Sequence, residues 1–350
     1  MPPTPPETTG PIAFLARQAG TAAAFTPLID ALEASGDTPL VMALGDAQRS
    51  WGARASLSHA AFSGLEGELA AQALPSLLIT GTSAEVDDDA RSWRWARQAG
   101  VPTVAFVDSW VNYAMRFTAS HGGWVDPLPD VIAVIDEASR ERMRRLGLPD
   151  GRLRVLGSPA FDALMSQRSP SPSQDGGVEL LFASQPLAGR GLAASWNEHA
   201  ALDLLIDTLK SMVFELPVTL VLRRHPAEPE GLFSPRLEGA QSPDLRLRID
   251  DRPDRIASVA AAHVVVSVVS MLQVEAQWLG RPALSIQPGD PAPADLLDLH
   301  HVPVATDKVT VKAALERLLS ERWSAPSSPP LATPQWLDFI SQMCRYDRRE

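Results

Sequence analysis

The 350-residue chain has a single cysteine, Cys344, which excludes a disulfide framework and any cysteine-based zinc site. Lysine occurs only at Lys210, Lys308 and Lys312, so nearly all positive charge is guanidinium, a group suited to phosphate and carboxylate. Positive charge is also in the minority. The 31 Lys+Arg against 42 Asp+Glu leave a net charge of −11, which argues against a nucleic-acid or anionic-membrane binder with a dense cationic footprint. No apolar run approaches the ~18–20 residues of a membrane span. Met1 to Gly10 is polar and proline-rich, without the basic and apolar regions of a signal peptide. A cytoplasmic soluble protein is expected. Missing motifs narrow the chemistry. The first strand-like run is not followed by G-x-G-x-x-G, and neither G-x-x-x-x-G-K-[ST] nor a G-x-S-x-G elbow occurs. That counts against a dinucleotide enzyme, a P-loop NTPase and a serine hydrolase.

What is present is alternation. Short aliphatic runs at Ile12–Ala16, Leu40–Leu44, Ser76–Thr80, Thr103–Val107, Val131–Ile135 and Leu153–Leu156 alternate with helical spacing at Ala22–Ala34, Asp88–Gln98 and Glu137–Leu146. Continuous rather than alternating apolar runs suit a parallel sheet covered on both faces. Ser166–Gly177, rich in Ser, Pro and Gly, reads as a linker. Beyond it the alternation restarts at Leu180–Ala183, Val218–Leu222, Leu245–Ile249, Val264–Val268, Ala283–Ile286 and Val302–Ala305. A long helix falls between the first two, with Trp196, Ala200, Leu204, Leu205, Thr208, Leu209, Met212 and Val213 on its apolar stripe. The fold class is therefore α/β, with two doubly wound Rossmann-like domains facing across a cleft. Residues 1–160 form the first domain, 161–177 the linker and 178–330 the second, and a last helix within 331–350 is expected to return to the first. Many of the 31 prolines mark strand entries and exits, where a fixed φ costs no ladder donor.

In such sheets ligands bind beyond the carboxyl ends of the strands, so polar residues following strands are the candidates. Arg223, Arg224, His225 and Pro226 close one strand as a compact anion site or, equally, a solvated basic turn. Ser267 and Ser270 follow another. Amides at the start of the ensuing helix suit a phosphate, although Ser270-x-x-Gln273 also reads as a capping box. Glu275 lies among apolar residues of that helix and needs a partner, such as a ribose diol. Asp108 precedes a polar-aromatic loop (Ser109, Trp110, Asn112, Tyr113), with Arg116 and His121 beyond. It is a general-base candidate or the cap of a helix starting at Ser109 or Trp110. Gly20 and Thr21 form a close-approach turn after the first strand. Asp87, Asp88 and Asp89 fit a helix start better than a metal site. No metal ligands and no cofactor are expected.

The second half, with Arg224-His225-Pro226 and then VVVSVVSMLQVEAQWLGRP (Val264 to Pro282), resembles the GT-B glycosyltransferase superfamily. It is also similar to bacterial sialyl- and polysialyltransferases and CDP-glycerol-type transferases. Gly157-Ser158-Pro159-Ala160-Phe161-Asp162 resembles a domain-junction motif of the CDP-glycerol-type transferases and of UDP-N-acetylglucosamine 2-epimerases. The serines here are spaced Ser-Val-Val-Ser rather than adjacent, and the acidic-acidic-Gly base motif of the sialyltransferases is absent. The resemblance implies a donor phosphate on Arg224 and His225, phosphate contacts from Ser267 and Ser270, the ribose on Glu275, and an acceptor site with Asp108 as base in the first domain. It further implies metal-independent transfer of a sugar from a CMP-, CDP- or UDP-linked donor, in polysaccharide biosynthesis. The acceptor would be a glycan, lipid-linked or protein group, the lipid-linked case bringing the protein to a membrane periphery. The alternatives are a UDP-N-acetylglucosamine 2-epimerase-like enzyme and a non-catalytic nucleotide-sugar-binding protein.

Overall fold

The computed structural model describes residues 10–69, 71–83, 87–119, 122–169, 172, 176–188, 197–225, 228–239, 244–291, 294–320, 323 and 331–346. His121, Trp196 and Pro226 lie outside them. The chain forms two compact units, Met1–Ala163 with Pro329–Glu350, and Leu164–Ser328.

In the first unit the chain runs β1 (Ile12–Ala16), α1 (Ala19–Ala34), β2 (Leu40–Leu44), α2 (Ala47–Trp51), β3 (Leu57–His59), α3 (Phe62–Leu69), β4 (Leu77–Thr80), α4 (Asp87–Ala99), β5 (Thr103–Val107), β6 (Val131–Val134), α5 (Glu137–Arg145), β7 (Leu153–Val155) and α6 (Pro159–Ser166). Among the described residues, seven parallel strands take the order β3-β2-β1-β4-β5-β6-β7. The apolar runs of β2 and β5 are buried at every position, because helices cover both faces of the sheet. Helices stop where the sequence supplies glycine. Gly100, at φ +71°, lets the Val101 N–H reach back to Ala96 O at 2.8 Å, and Gly147, at φ +94°, does the same for Leu148 and Met143.

The expected linker begins as helix: residues 161–166 are the end of α6, with Phe161 stacked on Trp110 at a centroid distance of 5.8 Å. The last helix, α13 (Ala332–Tyr346), is counted with the first unit. The Asp162 carboxylate accepts the Ala332 and Thr333 N–H groups at 2.9 and 2.7 Å, and Gly157 O accepts the Trp336 indole N–H at 3.1 Å. The Gly-Ser-Pro-Ala-Phe-Asp stretch is thus the seat of α13.

In the second unit the elements are β8 (Val178–Ala183), α7 (Glu198–Ser211), β9 (Val218–Arg223), α8 (Ser234–Gly239), β10 (Leu245–Ile249), α9 (Arg255–Ala261), β11 (Val264–Ser267), α10 (Met271–Trp278), β12 (Ala283–Ile286), α11 (Asp295–Leu299), β13 (Val304–Ala305) and α12 (Lys308–Ser320). The described strands run parallel in the order β10-β9-β8-β11-β12-β13. Leu202, Leu205, Ile206 and Leu209 of α7 enter the core with Phe182, Leu220 and Leu222. The buried stripe therefore sits a residue or two round from the expected one, and Val213, past the helix end, is 99% exposed. Among the described residues no helix is long and apolar enough to cross a membrane.

Candidate functional site

Both sheets reverse their strand order once, between β1 and β4 and between β8 and β11. Connections leave in opposite directions at such a point and open a crevice at the carboxyl ends of the strands.

In the first unit, Thr21 and Asp108 meet over this point. The Thr21 hydroxyl, in the first turn of α1, donates to Asp108 Oδ2 at 2.8 Å, and Arg116 donates from Nη1 to Oδ1 at 3.1 Å. Thr21 can pass over the end of β4 because residue 81 is glycine. A Cβ there would stand 2.4 Å from Thr21 Cγ2, far inside contact distance. Gly20 is exposed beside Asp108, with room for an ordinary contact. Residues 109–117 are bends and turns, so Asp108 caps no helix. Trp110 and Tyr113 are buried anchors of this loop, not pocket lining. The Trp110 indole donates to Asp136 at 2.6 Å and the Tyr113 hydroxyl to Ser139 at 3.1 Å.

Arg116 organises the site. Its buried guanidinium also donates to Thr82 O and Oγ1, Ser109 Oγ and Val111 O, tying the exits of β4 and β5 together. The sequence places Arg116 near the loop but gives no sign of its partners, one of them 34 residues away. Asp87, Asp88 and Asp89 occupy the first turn of α4, as expected of a helix start, and two of them reach beyond it. Asp88 pairs with Arg17, the first residue after β1, and accepts the Phe62 N–H at 2.9 Å. Asp89 accepts both N–H and O–H of Ser83 at 2.8 Å. Burial pushes the Asp89 carboxyl up to about 7, against the pull of the Ser83 donors and the Arg116 charge. Among the described residues no group of three or more His, Cys, Asp or Glu is arranged to hold a metal ion.

In the second unit the arrangement departs from the expected anion site. Arg223 forms an ion pair with the buried Asp250 carboxylate at 2.7 Å, with Ser258 bridging. Asp250 would be driven up by burial, but Ser258, Arg223 and the Arg252 N–H outweigh that and hold it below the usual carboxylate range. Arg224 turns onto the carbonyls of His225 and Glu228. Glu228, buried and unsuspected from sequence, accepts the His225 N–H at 2.7 Å and the Ser184 hydroxyl at 2.7 Å. Asp250 pairs with Arg223, and the Glu228 carboxylate lies against the His225 amide, so the turn is less cationic than its sequence.

The serines separate. Ser267 is fully buried and its hydroxyl donates to Ala183 O at 2.7 Å, so it clasps β11 to β8 instead of presenting an expected phosphate contact. Ser270 is partly exposed and forms a capping box with Gln273. The box already engages the 270 and 272 amides. Gln185, after β8, accepts the Val269 N–H at 2.8 Å across the switch point. Glu275 lies on α10, whose residues 272–278 are all buried, and its partner is Arg255.

No protein-family model matches the chain, and no curated protein matches it. Solved structures do. The UDP-GlcNAc 2-epimerase of Methanocaldococcus jannaschii matches with a TM-score of 0.68 at 11% identity, over 95% of this chain and 99% of that one. The Neisseria meningitidis UDP-GlcNAc 2-epimerase, bound to UDP-GlcNAc, matches with 0.66 at 13% identity over 95% and 99%. The kitacinnamycin glycotransferase matches with 0.56 at 15% identity over 97% and 95%. The chain has the fold these proteins share, an α/β protein of two parallel-sheet Rossmann-like domains of the GT-B and epimerase type.

Proposed function

We propose that the protein is a nucleotide-sugar enzyme that transfers a glycosyl group to an acceptor hydroxyl, with Asp108 as general base. The observation that carries this reading is the placement of Asp108. It stands at a strand's carboxyl end, caps no helix, and is oriented from one side by Thr21 and from the other by Arg116. In the transfer the acceptor O–H proton passes to the Asp108 carboxylate as the acceptor oxygen bonds to the anomeric carbon. The bond from that carbon to the donor phosphate breaks, and the phosphate leaves with the electron pair. The second unit takes the nucleotide: the ribose diol on Glu275, and the phosphates beside His225, Arg224 and Ser270, where the dipole of α10 favours negative charge.

Thermal-shift titration with CMP, CDP, UDP and GDP tests the donor half. At least one should raise the melting temperature, and His225→Ala or Glu275→Ala should abolish that rise. Stabilisation by none of the four, with both variants unaltered, would sink the reading.

A second reading, a sugar-nucleotide 2-epimerase, draws on Asp88 and Asp89, which add two carboxylates to the loops leaving β1 and β4. Most of the structural neighbours, the two epimerases above among them, also carry that activity in their names. Incubation with UDP-N-acetylglucosamine and no acceptor separates the two. Release of UDP or N-acetylmannosamine favours the epimerase, and turnover only with an acceptor favours the transferase.

A further inference from the structure

Asp89, in the first turn of α4, is a buried acid joined to Asp108 by a short chain of contacts. Its Oδ2 accepts both the N–H and the hydroxyl of Ser83 at 2.8 Å. Thr82, the residue before, takes Arg116 Nη1 on its carbonyl and hydroxyl oxygens at 2.8 and 2.9 Å. The same Nη1 donates to Asp108 Oδ1 at 3.1 Å. Both carboxylates are thereby tied to one strand exit and to one guanidinium. Burial pushes the Asp89 carboxyl up to about 7, the Ser83 donors and then the Arg116 charge pull against it, and Asp88 adds a smaller push. Asp88 is itself paired with Arg17, from the exit of β1. Arg116 and Asp89 are both buried, where charges act on each other with little screening.

The guanidinium favours Asp108 as an anion and so blunts it as a base, and a negative charge on Asp89 offsets part of that pull. We propose that Asp89 is a positioning residue acting through Arg116: ionised, it loosens the hold of the guanidinium on Asp108 so that Asp108 can take the acceptor proton, and neutral, it leaves Asp108 held. This rests on Asp108 being the base. The sign follows from the raised carboxyl of Asp89, which is neutral below about pH 7 and ionised above it, so the hold is released as pH rises through neutrality.

Asp89→Asn isolates the charge. Both Ser83 bonds fall on one oxygen, which an amide oxygen can replace, so the contacts stay and only the ionisation goes. Carboxyl-carbon NMR of the full chain labelled at aspartate, titrated from about pH 5 to about pH 9, reads the coupling. The variants Asp89→Asn and Asp108→Asn assign the two resonances. In the native protein the Asp108 resonance shows a step near neutral pH that tracks the titration of Asp89, and in Asp89→Asn that step is lost. A purely structural Asp89 would leave the Asp108 titration the same in native protein and variant. If the asparagine variant does not fold, the native titration alone decides, by whether the two steps coincide. An Asp108 resonance with no step in that range, or a step that survives in Asp89→Asn, overturns the role of Asp89 and leaves the base assignment standing. Coupled steps together with undiminished turnover in Asp108→Asn overturn the base assignment, and the role of Asp89 in catalysis with it.

Discussion

Asp89 is a buried acid next to a buried cation. Its carboxyl is raised from an ordinary value near 4 to about 7 in the folded chain, so between those pH values the native state holds a proton that the unfolded chain has lost. The stabilising contribution is fully present below pH ~4 and is lost as pH rises through about 7. Asp89→Asn removes this dependence. Melting temperatures should show the variant gaining on the native protein between pH 5 and pH 8, and a gap that does not change with pH would contradict the assignment. Gly81 supports a second prediction. A methyl group there must displace Thr21, so Gly81→Ala should cost about 1–3 kcal/mol of stability, typical of overpacking. Urea denaturation measures this, and an unchanged midpoint would mean that Thr21 is not confined as described.

At the scale of elements, the capping box of α10 is the clearest local device. Ser270→Ala should destabilise the second unit by about 1 kcal/mol, read from chemical denaturation. A loss of nucleotide binding far beyond that loss of stability would show that Ser270 touches the ligand directly. The long elements were legible because burial on both faces leaves a continuous apolar run, as in β2, β5, β11 and β12. The three-residue edge strand β3 was not, since Leu57 is its one buried residue and a single residue carries no period. Helices α2, α8 and α11, of five or six residues, are too short to show a stripe. The site was legible to the same extent. Residues directly after strands could be named from sequence, so Asp108 and His225 emerged, and Glu275 stood out as a carboxylate among the apolar residues of a helix. Their partners could not, because Arg116 with Thr82, Arg223 with Asp250, and Arg255 with Glu275 are joined by folding over 20 to 34 residues. For the same reason the Arg-Arg-His run gives no sign in the sequence of the Asp250 carboxylate that pairs with Arg223.

Over the whole molecule, the two units repeat one plan. Each has a parallel sheet with a single reversal of strand order, and polar side chains gather where the order reverses. They differ in what gathers there. The first unit concentrates carboxylates steadied by Arg17 and Arg116, which suits proton transfer. The second pairs Arg223 with Asp250 and Arg255 with Glu275, and turns Arg224 onto backbone carbonyls. The proposed function turns on Asp108 as the base that acts on a bound sugar nucleotide. Its most direct test is Asp108→Asn, assayed for both nucleotide affinity and turnover of a UDP-, CDP- or CMP-linked sugar with acceptor. Affinity should be unchanged and turnover reduced by about 100-fold or more, the usual worth of a general base. Turnover equal to that of the native protein would contradict it.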